Sequence, residues 1–341
     1  MAGTVITFGE IMLRLAPEGY QRFVQADSFR ATYGGGEANV SVALSQYGVD
    51  ARFVTKVPKH EIGQCAVNAL RRYGVNTDCI VRGGDRLGIY FLENGASQRP
   101  SKVIYDRVGS AFSTVTADDF DWKKIFSGAR WFHFTGITPA LGGALPEICL
   151  DACTAARALG VTVSCDLNYR SKLWSKSAAK ETMEKLCAYV DVCIANEADA
   201  ADVFGIAAER TDVTAGTIHR DSYRQVAQAL SERFNFSQVA VTLRESVSAN
   251  DNGWSALLYD GDDFYFSRKY DIRVVDRVGG GDSFAAGLIY ACLNEYAPQQ
   301  AVDFAVAASC LKHSIEGDFN LVSLDEVQLL AKGNASGRVQ R

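Results

Sequence analysis

Short apolar runs that end on polar residues recur along the chain and alternate with longer segments of helical spacing. Val5–Gly9 (VITFG) leads to Glu10, and Ala51–Val57 (ARFVTKV) is a second run. From Ala129 onward the order becomes regular. WFHFTGI, VTVSCDLN, VDVCIANEADA and SQVAVTLRE read as strands, with helices at Leu145–Leu159, Lys180–Tyr189 and Tyr223–Phe234 between them. Such alternation predicts an α/β fold whose mostly parallel sheet is covered on both faces. Ligands of these sheets bind beyond the carboxyl ends of the strands. The polar residues at those ends are His133, Thr135, Asp166, Asn168, Asn196 and Thr242, and their convergence predicts one site.

A second pattern is strand-like but less apolar. LGIYFLENG and SKVIYDR alternate around Glu93-Asn94-Gly95, a hairpin signal. With residues 12–33, read as exposed strand and turn, they predict a small sheet projecting from the main body. An open apolar sheet face needs a cover, so this sheet suits both a lid and a dimer surface. Gly48 and Gly74 read as helix stops. Gly205–Arg220 reads as a polar surface insertion and 331–341 as a frayed tail, leaving one domain over 1–330 with lid strands from roughly 12–33 and 85–110.

Composition narrows the function. The 341 residues are 48% hydrophobic and 22% charged, which is ordinary for a globular protein. A net charge of −5 argues against binding nucleic acid by general phosphate attraction. No apolar run is long enough to span a membrane and no signal-peptide pattern opens the chain, so a cytoplasmic protein is expected. The nine cysteines are scattered without C-x-x-C pairs, as expected of small buried hydrophobes in a reducing compartment. His60 reads as a surface residue.

The chemistry concentrates at Val274–Cys292 (VVDRVGGGDSFAAGLIYAC). Strand, glycine turn and helix follow one another there, a geometry that aims backbone N–H groups at an anion. The turn Gly279–Gly281 is read in two ways, as a tight turn with Asp282-Ser283 capping the helix, or as an anion cradle with Asp282 beside it. It is neither a Walker-A loop nor a dinucleotide fingerprint, because both spacings differ. A second glycine turn, Gly34–Gly36, precedes a helix that carries Asn39, read as a helix cap or a ligand contact.

The stretch D276-R-V-G-G-G-D282 resembles the C-terminal signature D-x-x-G-A-G-D of the ribokinase-like (PfkB) carbohydrate kinases, departing at Val278 and Gly280. G-G-E-A-N (35–39) resembles the family's N-terminal element, and the resemblance spans roughly residues 5–325. It implies a ribokinase-like three-layer α/β/α fold with a projecting β-sheet lid. It also implies phosphoryl transfer from ATP with Mg²⁺, with a monovalent cation such as K⁺ as a further candidate. Asp282 would act as base and the Gly279, Gly280 and Gly281 backbone as anion hole. Asn168, Asn196, Thr242, Arg244, Ala308 and Lys312, with Gly279 and Gly281, would border the nucleotide. Asp199 stands where the family has glutamate and would reach the metal mainly through water.

G-E-I-M-L-R-L, Y-x-R and D-L-N-Y-R add a resemblance to the 2-keto-3-deoxygluconate kinase branch. This implies that Gly35, Gly36, Asn39, Tyr90, Tyr105, Arg107 and Arg170 grip a sugar acid whose C6 hydroxyl faces Asp282. Two arginines from separate elements suit a carboxylate. A fructokinase or other neutral-sugar kinase, and a sugar-responsive regulator without turnover, are the alternatives. Partners are then small molecules and a second copy of the chain, meeting through the lid sheet as a homodimer or larger assembly.

Overall fold

The computed structural model describes residues 3–196, 198–208 and 220–334. Its strands are β1 (Thr4–Phe8), β2 (Met12–Ala16), β3 (Arg30–Gly34), β4 (Ala51–Val57), β5 (Ile80–Arg82), β6 (Gly88–Glu93) and β7 (Lys102–Asp106), then β8 (Ala129–Thr135), β9 (Thr162–Asp166), β10 (Val192–Asn196), β11 (Gln238–Ser246), β12 (Asp251–Tyr259), β13 (Phe264–Phe266) and β14 (Tyr270–Arg273).

Ten of them form one sheet in the order β13-β12-β11-β10-β9-β8-β1-β4-β5, with β14 also paired to β12. The strands from β11 to β5 run parallel, and β12, β13 and β14 add an antiparallel edge. Alternate residues of a strand face opposite sides. On β1, Ile6 and Phe8 enter one core while Val5 enters the other. This two-sided burial explains the near-continuous apolar runs, and the fold is ribokinase-like α/β. Helices Leu145–Ala158 and Lys176–Cys187 pack on one face, and Gly36–Gln46, Gly280–Leu293 and Pro298–Lys312 on the other. Cys149, Cys153, Cys165, Cys187 and Cys193 are buried, and all nine cysteines are free.

The smaller sheet has the order β3-β2-β6-β7. Residues 12–33 and 85–110 supply it, but Met12, Arg14 and Ala16 of β2, read as exposed, are buried on one face of the strand. The connection from β6 to β7 is not a tight turn at Glu93-Asn94-Gly95, however. It is a loop over 94–101, closed by the paired residues Ala96 and Arg99. Glu93 cannot join a tight turn because its carboxylate is buried, accepting from the Phe23 N–H (2.8 Å) and Arg99 Nη1 (2.9 Å).

Gly48 follows the helix Gly36–Gln46 with φ 80, as a helix stop requires. His60 is exposed, with Nε2 near Asp85 O. The polar insertion expected over Gly205–Arg220 falls mostly outside the described residues, as does the tail beyond Asn334. Among the described residues no helix is long and apolar enough to cross a membrane.

Candidate active site

The carboxyl ends of the parallel strands finish together. Thr135 is level with Asp166 across β8 and β9, Asp166 with Ile194, and Asn196 with Thr242 across β10 and β11. Beyond Thr242, β11 continues to Ser246 against β12 alone, so Arg244 stands above the edge of the parallel sheet. A cavity of about 360 Å³ opens over these ends. Gly35, Gly36, Glu37 and Asn39 line it, as do Asp166, Asn168, Arg170 and Asn196, then Thr242, Arg244 and Arg277–Asp282. The smaller sheet covers it with Met12, Tyr90, Val103, Tyr105 and Arg107.

Asp282 lies in the first turn of the helix Gly280–Leu293, whose N-cap is Gly279 at φ 85. The capping reading of Asp282-Ser283 therefore does not hold. The first turn of a helix leaves its N–H groups without intrahelical partners. The Gly280 N–H bends back to Arg277 O (3.3 Å), leaving those of Gly281 and Asp282 to point out of the helix end. A Cβ added to Gly281 would meet nothing within 4 Å, so this backbone is open to an approaching anion. At Gly279 it would strike Asp318 O at 2.1 Å and at Gly280 the His313 ring at 2.5 Å. The turn thus requires its first two glycines sterically and leaves the third bare.

Asn39 is not the N-cap of its helix, which is Gly35. Its Oδ1 accepts from the Gly35 N–H at 3.3 Å, and its Nδ2 donates to Asp282 Oδ2 at 2.6 Å. Burial, against the pull of the Asn39 bond, raises the Asp282 carboxyl to about 6, with nearby Asp318 adding to the rise. Arg170 and Lys312 work the other way. Gly35 is fixed by contact, since a Cβ there would lie 1.9 Å from Glu10 O.

Beside the smaller sheet, Arg107 Nε donates to Glu10 Oε2 at 2.9 Å and its Nη2 bonds the same oxygen. Its guanidinium carbon lies 5.5 Å from the centre of the Tyr105 ring. Arg170 is exposed and bonds only Tyr169 O (3.0 Å) among the described residues. Tyr90 lines the cavity with its ring, but its hydroxyl donates to Asp318.

The structure moves three expected contacts away from the cavity. Asp199 is buried and both its oxygens accept backbone N–H groups, from Tyr169 (3.1 Å) and Asn196 (2.9 Å). It shapes the loop that carries Arg170. Lys312 is fully buried with Nζ on Ile315 O (3.1 Å), and Ala308 is buried with its carbonyl on Asn320. Neither lines the cavity. His133 and Thr135, read as strand-end site residues, also face inward. His133 Nδ1 meets Ser164 Oγ (2.8 Å), and Thr135 donates from N and Oγ1 to Glu37.

Sequence reasoning did not bring together the buried ion network below the turn. Arg14 on β2 donates to Asp276 Oδ2 (2.6 Å) and Asp318 Oδ1 (2.8 Å), and the Lys312 ammonium is attracted to both aspartates. Glu37 was missed too. Its Oε1 takes bonds from Thr135 and Thr138, and burial lifts its carboxyl to about 7. One signal was present for Arg14, because a period of two places it on the same buried face as Met12 and Ala16.

Among the described residues no three His, Cys, Asp or Glu side chains group to hold a metal alone. The cavity does contain the oxygen donors that suit Mg²⁺ bound mostly by nucleotide and water. Asp166 faces it, and Asn168, at φ 39, has a buried Oδ1 without a hydrogen-bond partner.

A model of the pfkB family carbohydrate kinases matches residues 3–320, and the chain belongs to this family of ATP-dependent kinases. It is 34% identical over 339 residues to the 2-dehydro-3-deoxygalactonokinase of Haloferax volcanii, covering 99% of each chain. It is 27% identical to the 2-dehydro-3-deoxygluconokinase of Bacillus subtilis, covering 92% of this chain and 91% of that one. The crystal structure of the 2-dehydro-3-deoxygluconokinase from Thermotoga maritima superimposes with a TM-score of 0.94 at 53% identity, covering 97% of this chain and 100% of that one.

Proposed function

We propose that the protein phosphorylates the C6 hydroxyl of 2-dehydro-3-deoxy-D-gluconate with ATP. The observation that carries this is the meeting of Asp282, the open helix end at Gly281 and two cavity arginines, Arg107 and Arg170, in one cleft. Asn39 orients the Asp282 carboxylate, which accepts the hydroxyl proton as the sugar oxygen bonds to the γ-phosphorus and the bond to the β-phosphate oxygen breaks. A carboxyl near 6 is ionised at neutral pH yet more basic than an exposed aspartate. The Gly281 and Asp282 N–H groups meet the charge on the transferring phosphoryl without reorganising. Bound Mg²⁺ would offset phosphate charge, with Asp166 and Asn168 holding it through water. Thr242 and Arg244 border the nucleotide, while Gly35, Tyr105, Arg107 and Arg170 border the acid. The kinship with gluconate- and galactonate-named kinases supports an acidic sugar.

One observation favours a neutral-sugar kinase instead. Arg107 is already paired with Glu10, so part of its charge is spoken for within the protein. An ADP-release assay with Mg-ATP decides between the two. It compares 2-dehydro-3-deoxygluconate, its galactonate epimer, fructose and ribose. Turnover confined to the acids supports the proposal, and turnover with fructose assigns the neutral-sugar reading.

A further inference from the structure

Arg277 lies in the short link between β14 and the glycine turn, and the reaction above gives it no part. Its guanidinium is held from one side, with Nη2 on Ala249 O at 2.8 Å. That carbonyl belongs to the turn between β11 and β12, which also meets the β6–β7 loop of the smaller sheet. The Ala249 N–H donates to Ser97 O (2.7 Å), and the Ser97 N–H donates to Asn250 Oδ1 (2.8 Å). A second bond, from the Val274 N–H to Asn250 O (2.6 Å), fixes the turn against the strand leading to Arg277. The side chain is thus pinned at one end while it lines the cavity beside Arg244 and Gly279–Gly281.

Among the described residues the Arg277 guanidinium makes that one hydrogen bond, only Asp276 attracts its charge, and no carboxylate pairs with it. Its neighbour Asp276 is committed to Arg14 at 2.6 Å and to the Gly317 N–H at 3.0 Å. Burial and the proximity of Arg244 both press against the Arg277 charge, holding its proton less tightly than an exposed arginine would. A fixed, partly buried cation facing a cleft calls for an anion. Two anions enter this cleft, the nucleotide phosphates and the acceptor's carboxylate. Arg277 is joined directly to the glycine turn at the open helix end and lies close to Arg244, whereas Arg107 arrives beside the covering sheet and Arg170 from the loop after β9.

We propose that Arg277 binds the phosphate tail of the nucleotide, pre-positioned by the Ala249 carbonyl, as a nucleotide-binding residue of the kinase reaction. This rests on the cleft being the kinase site but not on which sugar is the acceptor.

Calorimetric titration of ADP and of adenosine into the full-length wild type, Arg277→Gln and Arg277→Lys tests it. Glutamine keeps a donor for the Ala249 carbonyl and removes the charge, and lysine keeps the charge and loses the fork. ADP binding is expected to weaken about tenfold or more in Arg277→Gln and less in Arg277→Lys, with adenosine binding unchanged. Unchanged ADP affinity in Arg277→Gln would overturn the assignment. Equal weakening of ADP and adenosine would also do so, by making the residue structural. A raised KM for the acceptor with normal ADP binding would move the contact to the sugar. A protein that phosphorylates no acidic sugar but shows the expected ADP pattern would leave this inference standing and remove the substrate proposal alone.

Discussion

Asn39 and Asp282 are 243 residues apart in the chain, and their side chains meet at 2.6 Å on the floor of the cleft. The amide is aimed by its other end, because the Gly35 N–H donates to Asn39 Oδ1 at 3.3 Å. Nδ2 must therefore face the carboxylate. Asn39→Ala is expected to lower kcat about 10- to 100-fold, since it frees the base to rotate and removes a charge-assisted bond. The acid limb of the kcat/KM profile should fall near pH 6 in the wild type and rise in the variant, because the Asn39 bond favours the ionised form. A limb that stays in place after the substitution would contradict this relationship.

Folding stability should carry the opposite mark of the same carboxyl. The folded state raises the Asp282 carboxyl to about 6, above its unfolded value, so between the two values the folded protein binds more protons. The contribution is present at low pH and is lost as pH rises toward about 6. Asp282→Asn is then expected to stabilise the protein at pH 7.5 by about 1–2 kcal/mol and to have less effect at pH 4.5. Urea unfolding at both values measures the difference. An equal effect at both would show that burial of the charge is not what raises the group.

Gly280 and His313 share one volume. A Cβ at 280 would lie 2.5 Å from the imidazole Cε1, and the ring is held by its Nδ1 contact with Ser309 O (2.7 Å) and by Trp254 at 4.9 Å. Gly280→Ala is expected to destabilise the fold by about 1–3 kcal/mol. Adding His313→Ala should recover part of that loss, giving a non-additive double-mutant cycle. Gly281→Ala, where the space is open, should fold normally and lose nucleotide affinity instead.

Arg14 bridges Asp276 and Asp318 in a site where all three side chains are almost wholly buried. Arg14→Met leaves the two buried carboxylates with Lys312 as their one nearby cation among the described residues and is expected to cost about 3–5 kcal/mol in denaturant unfolding. Arg14→Met with Asp318→Asn should be more stable than Arg14→Met alone. If the single substitution proves neutral, the network does not tie the covering sheet to the glycine turn.

The layers of the fold were legible because each rests on a local period. Strands buried on both faces read as continuous apolar runs, and the glycine turns were visible as triplets. Val278, a departure from the family signature, has its reason only in three dimensions, packing on the Met12–Tyr90 cluster of the smaller sheet. Gly280 likewise answers to His313. The ion network joins Arg14 to Asp318 across 304 residues, a distance over which spacing carries no signal. Asp199 and Lys312 entered through the family resemblance and not through a local period, and in the structure backbone groups of the neighbouring loops hold both side chains outside the cavity lining.

The position of the phosphate on the product decides whether Asp282 serves a C6 sugar-acid kinase. The protein is incubated with Mg-ATP and 2-dehydro-3-deoxygluconate, and the phosphorus is located by its NMR coupling to protons of the acid. The expected result is a phosphate on C6 formed in step with ADP by the wild type and absent with Asp282→Asn. ADP without a phosphorylated acid, or the same product from Asp282→Asn, would contradict the account.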